Sequence, residues 1–214
     1  MTRRLGALSG YGSAALALVY VVGQLAEWAG WLGSAGGPES ASTSLGVYVL
    51  LTPSLLLGPA FVLLAACVFA AAPVERRAAG AAALAFAAGY AVLTGLVYFA
   101  QLTFVAPRLG SADLAVVPFR FTPFASFLYS VDLLGYSWMS LSCGLLAAAL
   151  PPGQARAARV ALVGTALVLP FLVLQFVWRD LIYVAAAWAV TFPAAAVLLA
   201  HWFAAAAPQA SRPR

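Results

Sequence analysis

The stretch FLYSVDLLGYSWMSLS, residues 127–142, sets one carboxylate, Asp132, in an apolar and aromatic run. A charged side chain at the centre of a bilayer costs roughly 2.5–3.5 kcal/mol on insertion scales, so such residues face a cavity or a partner. Tyr129 and Tyr136 stand at i−3 and i+4 from Asp132, on one helix face. A carboxylate between two phenols can hold a cation, relay a proton, or act as a general acid or base. Two other stripes repeat at helical spacing. Tyr20, Gln24, Glu27 and Trp31 fall at i, i+4, i+7 and i+11, and Tyr90, Thr94, Tyr98 and Gln101 follow nearly the same pattern. A third cluster, Gln175, Arg179, Asp180 and Tyr183, spans a short junction.

Several chemistries are excluded by residue type. The chain has no Lys, so it cannot hold retinal as a lysine Schiff base. His201 is its single histidine, which rules out paired-histidine haem ligation and histidine-rich metal sites. There is no C-x-x-C; Cys67 and Cys143 each fall inside apolar runs and read as inert buried thiols. No D-D-x-x-D metal motif, nucleophile motif or phosphate-cradling loop appears, and no metal or cofactor is implied. His201, beside Trp202, reads as an interfacial residue.

The elements that must position these groups follow from composition. Of 214 residues, 64% are hydrophobic and 8% charged, with a mean hydropathy of +0.99. A soluble domain carries about 25% charged residues, so this chain reads as an integral membrane protein whose first partner is the lipid bilayer. The net charge of +5 comes from scattered arginines with no basic patch, which sets nucleic acid aside. Lys and Asn are missing and Ile occurs once; all three have AT-rich codons, so the bias points to a high-GC bacterial genome.

Six apolar runs are long enough to cross a hydrocarbon core of about 30 Å: 9–29, 46–72, 79–104, 122–149, 157–178 and 181–205. The expected fold is an all-α bundle of six transmembrane helices in one domain, 1–214. "MTRRLGALSG" reads as the approach to the first span rather than a signal peptide, since the apolar stretch is long and no small-x-small cleavage site follows. Arg3, Arg4, Arg76, Arg77, Arg156, Arg159, Arg212 and Arg214 fall on one side of these spans; Arg108, Arg120 and Arg179 fall on the other. The positive-inside rule then gives N-in and C-in in a bacterial cytoplasmic membrane, with Trp28, Trp31 and Trp178 at the outer interface and Trp202 at the inner.

The connection 30–45 is Gly/Ser-rich, while 105–121 is half apolar and suited to lying along the interface or folding over the bundle. The last two spans are joined only by "VWRDL". Pro53, Pro59, Pro170 and Pro193 permit kinks. Ala81, Ala85 and Gly89 form a small-xxx-small face for close helix packing, within the bundle or in a dimer.

In this topology Asp132 lies about 14 Å deep, at 1.5 Å per residue. Gln24, Glu27, Gln101, Gln175, Arg179, Asp180 and Tyr183 all fall in the outer half, and the inner half reads as nearly pure Ala, Val, Leu and Phe. A pocket opening outward is expected, with Asp132 as its floor. The alternatives are that Glu27 and Asp180 are hydrated at the interface, that Arg179 snorkels, and that Asp132 locks the bundle by pairing with Arg179 or with tyrosine hydroxyls.

Three functions fit these residues. The leading one binds or transports a small molecule, Asp132 and Glu27 holding a cation or relaying a proton between Tyr and Trp walls. The second is a membrane-embedded enzyme acting on a lipid or isoprenoid with Glu27 and Asp132 as acid and base. The third is a structural accessory subunit, in a homo-oligomer or a larger membrane complex.

Overall fold

The structure, a computed structural model, describes residues 1–111, 114–153 and 155–205; Arg212 and Arg214 lie outside them. Every regular element among the described residues is helical. Six stretches are long and apolar enough to cross a membrane: Thr2–Trp28, Ser44–Ala71, Val74–Arg108, Phe127–Ala149, Arg156–Leu174 and Leu181–Ala205. We label the helices α1 (Thr2–Trp28), α2 (Ser44–Ala71), α3 (Arg77–Ala100), α4 (Phe127–Ala149), α5 (Arg156–Ala166), α6 (Leu169–Leu174), α7 (Leu181–Ala185) and α8 (Trp188–Ala205).

The first helix begins seven residues before its expected start, taking in Arg3 and Arg4. The fourth begins five residues late. Residues 122–126 instead form a turn in which Phe124 adopts φ 61°, and Ser126 caps α4 by accepting from the Tyr129 amide at 3.2 Å. The fifth and sixth stretches are each broken, at 167–168 and 186–187. The first break falls just before Pro170, whose ring displaces the carbonyl four residues back, at Ala166; the second lies nearly two turns before Pro193, which sits inside α8. Pro53 and Pro59 leave α2 continuous. The third stretch ends in a π-helical turn, Gln101–Val105, and a short 3-10 turn, Ala106–Arg108.

Consecutive helices pack as antiparallel neighbours whether their connection is short, as at 72–76, or long, as at 29–43. α1 packs on α2, α2 on α3, α3 on α4, α4 on α5, and α8 packs on both α5 and α1, closing a ring in chain order. One end of this ring holds Arg3, Arg4, Arg76, Arg77, Arg156 and Arg159; we call it the arginine end. The other holds the connections 29–43 and 106–126 and is called the loop end.

Toward the arginine end the ring is filled. Phe61 meets Tyr90 and Phe192 edge-on at 5.9 and 5.5 Å, above a fully buried layer of Leu64, Met139, Leu146 and Leu199. Small residues bring the helices close: a Cβ at Gly10 would lie 2.9 Å from the Ala196 carbonyl oxygen, and one at Gly89 would strike the Trp138 ring at 2.1 Å. The small face of α3 that enters the bundle is Gly80, Ala83 and Ala87. Ala81 and Ala85 point outward, so of the expected trio only Gly89 makes a close contact inside. This region is also more polar than its sequence suggests. Ser142 donates to the Ala83 carbonyl across the α3–α4 contact at 2.8 Å, and Ser13 and Ser140 are fully buried.

The arginines at this end hold the last turn of α4. Arg76 Nη1 donates to the Ala148 and Leu150 carbonyls at 2.8 and 3.2 Å, and Arg159 Nε to the Ala147 carbonyl at 3.0 Å. These carbonyls have no partner within the helix and carry its negative dipole end, so guanidinium groups suit them.

A candidate ligand cavity at the loop end

Above the Tyr136–Trp188 layer the ring is hollow. The cavity there measures about 570 Å³, within the usual range of small-molecule sites. Its walls come from α1 (Tyr20, Gln24, Glu27, Trp28), α2 (Val47, Leu50, Leu51), α3 and its π turn (Tyr98, Gln101, Val105) and α4 (Tyr129, Asp132, Leu133, Tyr136). The broken stretches add Leu172 and Gln175 on one side, and Ile182, Ala185 and Trp188 on the other.

Two loop segments roof it. Residues 37–42 contribute Gly37, Pro38 and Ser40, and the 106–126 connection contributes Leu109, Arg120, Phe121 and Pro123. That second connection thus folds over the bundle, as a strap. Gln101 fastens it: its Nε2 donates to the Phe119 carbonyl at 2.5 Å, and its Oε1 accepts from the Phe121 amide at 3.1 Å. The π turn that begins at Gln101 adds one residue to the helical turn there, so the end of α3 departs from regular helix geometry. Ser44 adds a tie, donating to the Ala106 carbonyl at 2.9 Å.

Most of the cavity's neutral polar groups are engaged within the protein. Tyr20 donates to Gln24 Oε1 at 2.9 Å, Tyr129 to Gln175 Oε1 at 2.8 Å, and Tyr98 to the Tyr136 hydroxyl at 3.1 Å. Gln175 Nε2 donates to the Leu172 carbonyl at 3.1 Å. The carboxylates differ. Glu27 is 2% exposed, and neither of its oxygens has a hydrogen-bond partner among the described residues. Asp132 is 6% exposed; the Tyr98 hydroxyl lies beside it, and its Oδ1 has no partner.

Glu27 is thus enclosed on the cavity wall rather than exposed at the surface, and its position has a structural cause. Its carboxylate lies against Gly46, where a Cβ would come within 2.7 Å of Oε2 and 3.1 Å of Oε1. Gly46 is in the first turn of α2, behind the Thr43 cap that accepts from its amide at 3.1 Å. The positive end of the α2 dipole thus faces the carboxylate. Gly36, at φ +79°, makes the matching turn in the 29–43 connection, where a Cβ would lie 2.8 Å from the Trp28 carbonyl oxygen.

Nine of the residues picked out from sequence line this one cavity: Tyr20, Gln24, Glu27, Tyr98, Gln101, Tyr129, Asp132, Tyr136 and Gln175. Arg179, Asp180 and Tyr183 do not. Arg179 Nη1 pairs with Glu39 at 3.0 Å on the exposed surface, its guanidinium 5.2 Å above the Phe124 ring. The expected alternative, a lock between Arg179 and Asp132, is replaced by this contact. Asp180 is exposed, and Tyr183 packs edge-on against Trp28 at 6.4 Å. Cys67 and Cys143 are free and buried away from the cavity.

Sequence reasoning missed Trp188, which takes Tyr136 edge-on at 5.2 Å and Tyr20 at 6.1 Å and stacks on Phe192 at 5.4 Å. Within "VAAAWAV" no polar neighbour marks it. It also missed Arg120, half-buried on the strap with Nε unpartnered, whose only signal was its place in an apolar loop. Compared with family models, with curated proteins and with solved structures, the chain matches none of them.

Proposed function

We propose that this chain is a bacterial inner-membrane protein with both termini on the cytoplasmic side, whose loop-end cavity opens outward and binds a small molecule, for capture or for transport. The observation that carries the reading is the pair of enclosed carboxylates, Glu27 and Asp132, both on the wall of one cavity and both with unpartnered oxygens. Buried charges are ordinarily paired, because leaving one unpaired costs several kcal/mol. A structural network would satisfy its own members. Gln101 and Gln175 are satisfied within the protein, whereas both Glu27 oxygens and Asp132 Oδ1 are not, which supports a ligand as the missing partner. The orientation is supported by the arginines gathered at the opposite end, as the positive-inside rule requires of cytoplasmic loops.

Native mass spectrometry of the purified protein beside Asp132→Asn tests this. A discrete small mass that co-purifies with wild type and is lost from a folded variant is the expected result. An empty wild type together with a variant that unfolds would assign Asp132 to the scaffold.

A further inference from the structure

The geometry points to a linear dication as the ligand: an aliphatic chain with two protonated amino groups, one at Glu27 and one at Asp132. This rests on the ligand-binding reading above and specifies its chemistry. What the cavity leaves unpartnered is mostly acceptor. Ionised carboxylates only accept hydrogen bonds, and a protonated amine only donates them. Trp188 Nε1 and Arg120 Nε are also unpartnered on this wall, but both are donors and offer an amine nothing.

The two carboxylates are separate sites. Tyr20 on α1 and Tyr136 on α4 both pack edge-on against Trp188, which places them at similar depth. From that level Glu27 lies seven residues nearer the loop end, about 10 Å of rise, and Asp132 four residues nearer, about 6 Å. They also stand on different walls, α1 and α4, which do not neighbour one another in the ring. A single ammonium ion at either site leaves the other carboxylate enclosed and unpaired. Leu50, Leu133 and Leu172 line the space with apolar surface suited to methylenes.

The protein's own cations do not fill either site. Arg179 is held by Glu39 and Phe124 outside the cavity. Arg120 reaches the cavity from the strap but forms no ion pair there among the described residues.

The test uses the full chain in detergent and calorimetric titration with linear α,ω-diamines of increasing length from ethylenediamine upward, each beside the n-alkyl monoamine of the same length. One optimal diamine is expected to bind about tenfold to a hundredfold more tightly than its monoamine, the worth of a second charged hydrogen-bonded contact. Glu27→Gln and Asp132→Asn should each remove that advantage while weak amine binding persists. Both are isosteric, and gel filtration with circular dichroism checks each fold; should one misfold, the other carries the test. Diamines and monoamines binding alike in wild type, with a diamine preference gained in Arg120→Gln, would overturn the dication and make Arg120 the second charge. A co-purifying neutral or anionic ligand with no amine binding would also overturn it, yet leave the cavity a binding site. If no ligand of any kind is found, both readings fall.

Discussion

From Phe61 to the arginine end the bundle is solid; from Trp188 to the loop end it is hollow, and the helices differ in the same way. The solid half has continuous helices and glycines that bring backbones together, and arginines close the end of α4. The hollow half contains both helix breaks, the π turn, the left-handed Phe124 and the two carboxylates with unpartnered oxygens. Rigid packing in one half lets the other keep an arrangement that is locally unfavourable, a division expected when stability and binding are supplied by different regions.

The comparison breaks if the solid half tolerates truncation. Phe61→Ala should cost about 3 kcal/mol, because Tyr90 and Phe192 pack around it and cannot both close the gap. Denaturant unfolding in detergent measures this, and a loss under about 1 kcal/mol would show the core to be loosely packed. In the hollow half the sign should reverse. Glu27→Gln removes an enclosed unpaired charge and should stabilise the ligand-free protein by about 2 kcal/mol, seen as a raised midpoint. A lowered midpoint would mean that the α2 dipole outweighs the cost of enclosing the carboxylate.

Smaller effects sharpen the boundary between the halves. Gln101→Leu cuts both bonds to the strap and should cost about 1 kcal/mol overall. Its clearer signature is faster amide exchange at Phe121, with exchange in α4 near Met139 unchanged. Arg179→Ala should be the mildest, within about 0.5 kcal/mol, since both partners of its ion pair are mostly exposed. A larger loss would show that the 39–179 contact closes the cavity as well as decorating it.

Much of the hollow half was legible because polar residues in an apolar chain are informative. The i, i+4, i+7 spacing of Tyr20, Gln24 and Glu27 and the phenols around Asp132 marked helix faces that do meet at one cavity. The six long apolar helices were legible from run length alone. The junction cluster misled, because sequence places Arg179, Asp180 and Tyr183 near the site but does not say that the turn points them away. Trp188 was invisible for the opposite reason: an aromatic among alanines reads as ordinary span until its neighbours across the ring are known. The breaks in the last two stretches also needed three dimensions, since Pro53, Pro59 and Pro193 lie inside continuous helices while only Pro170 follows directly on an interruption.

The contact between Glu27 and Gly46 couples two distant positions. Any Cβ at 46 enters the space of the carboxylate, so an alanine there acts on residue 27 without altering a charge. At 46 the atoms met are the free end of a flexible side chain, so the two positions are coupled but either can change while the carboxylate swings aside. The coupling is tighter where a ring fills the space, between Gly89 and Trp138 and between Gly6 and Phe203. Substitutions at such pairs are epistatic, and single-residue scans should score Gly89 and Gly6 as less tolerant than Gly46, for a reason that resides in the partner.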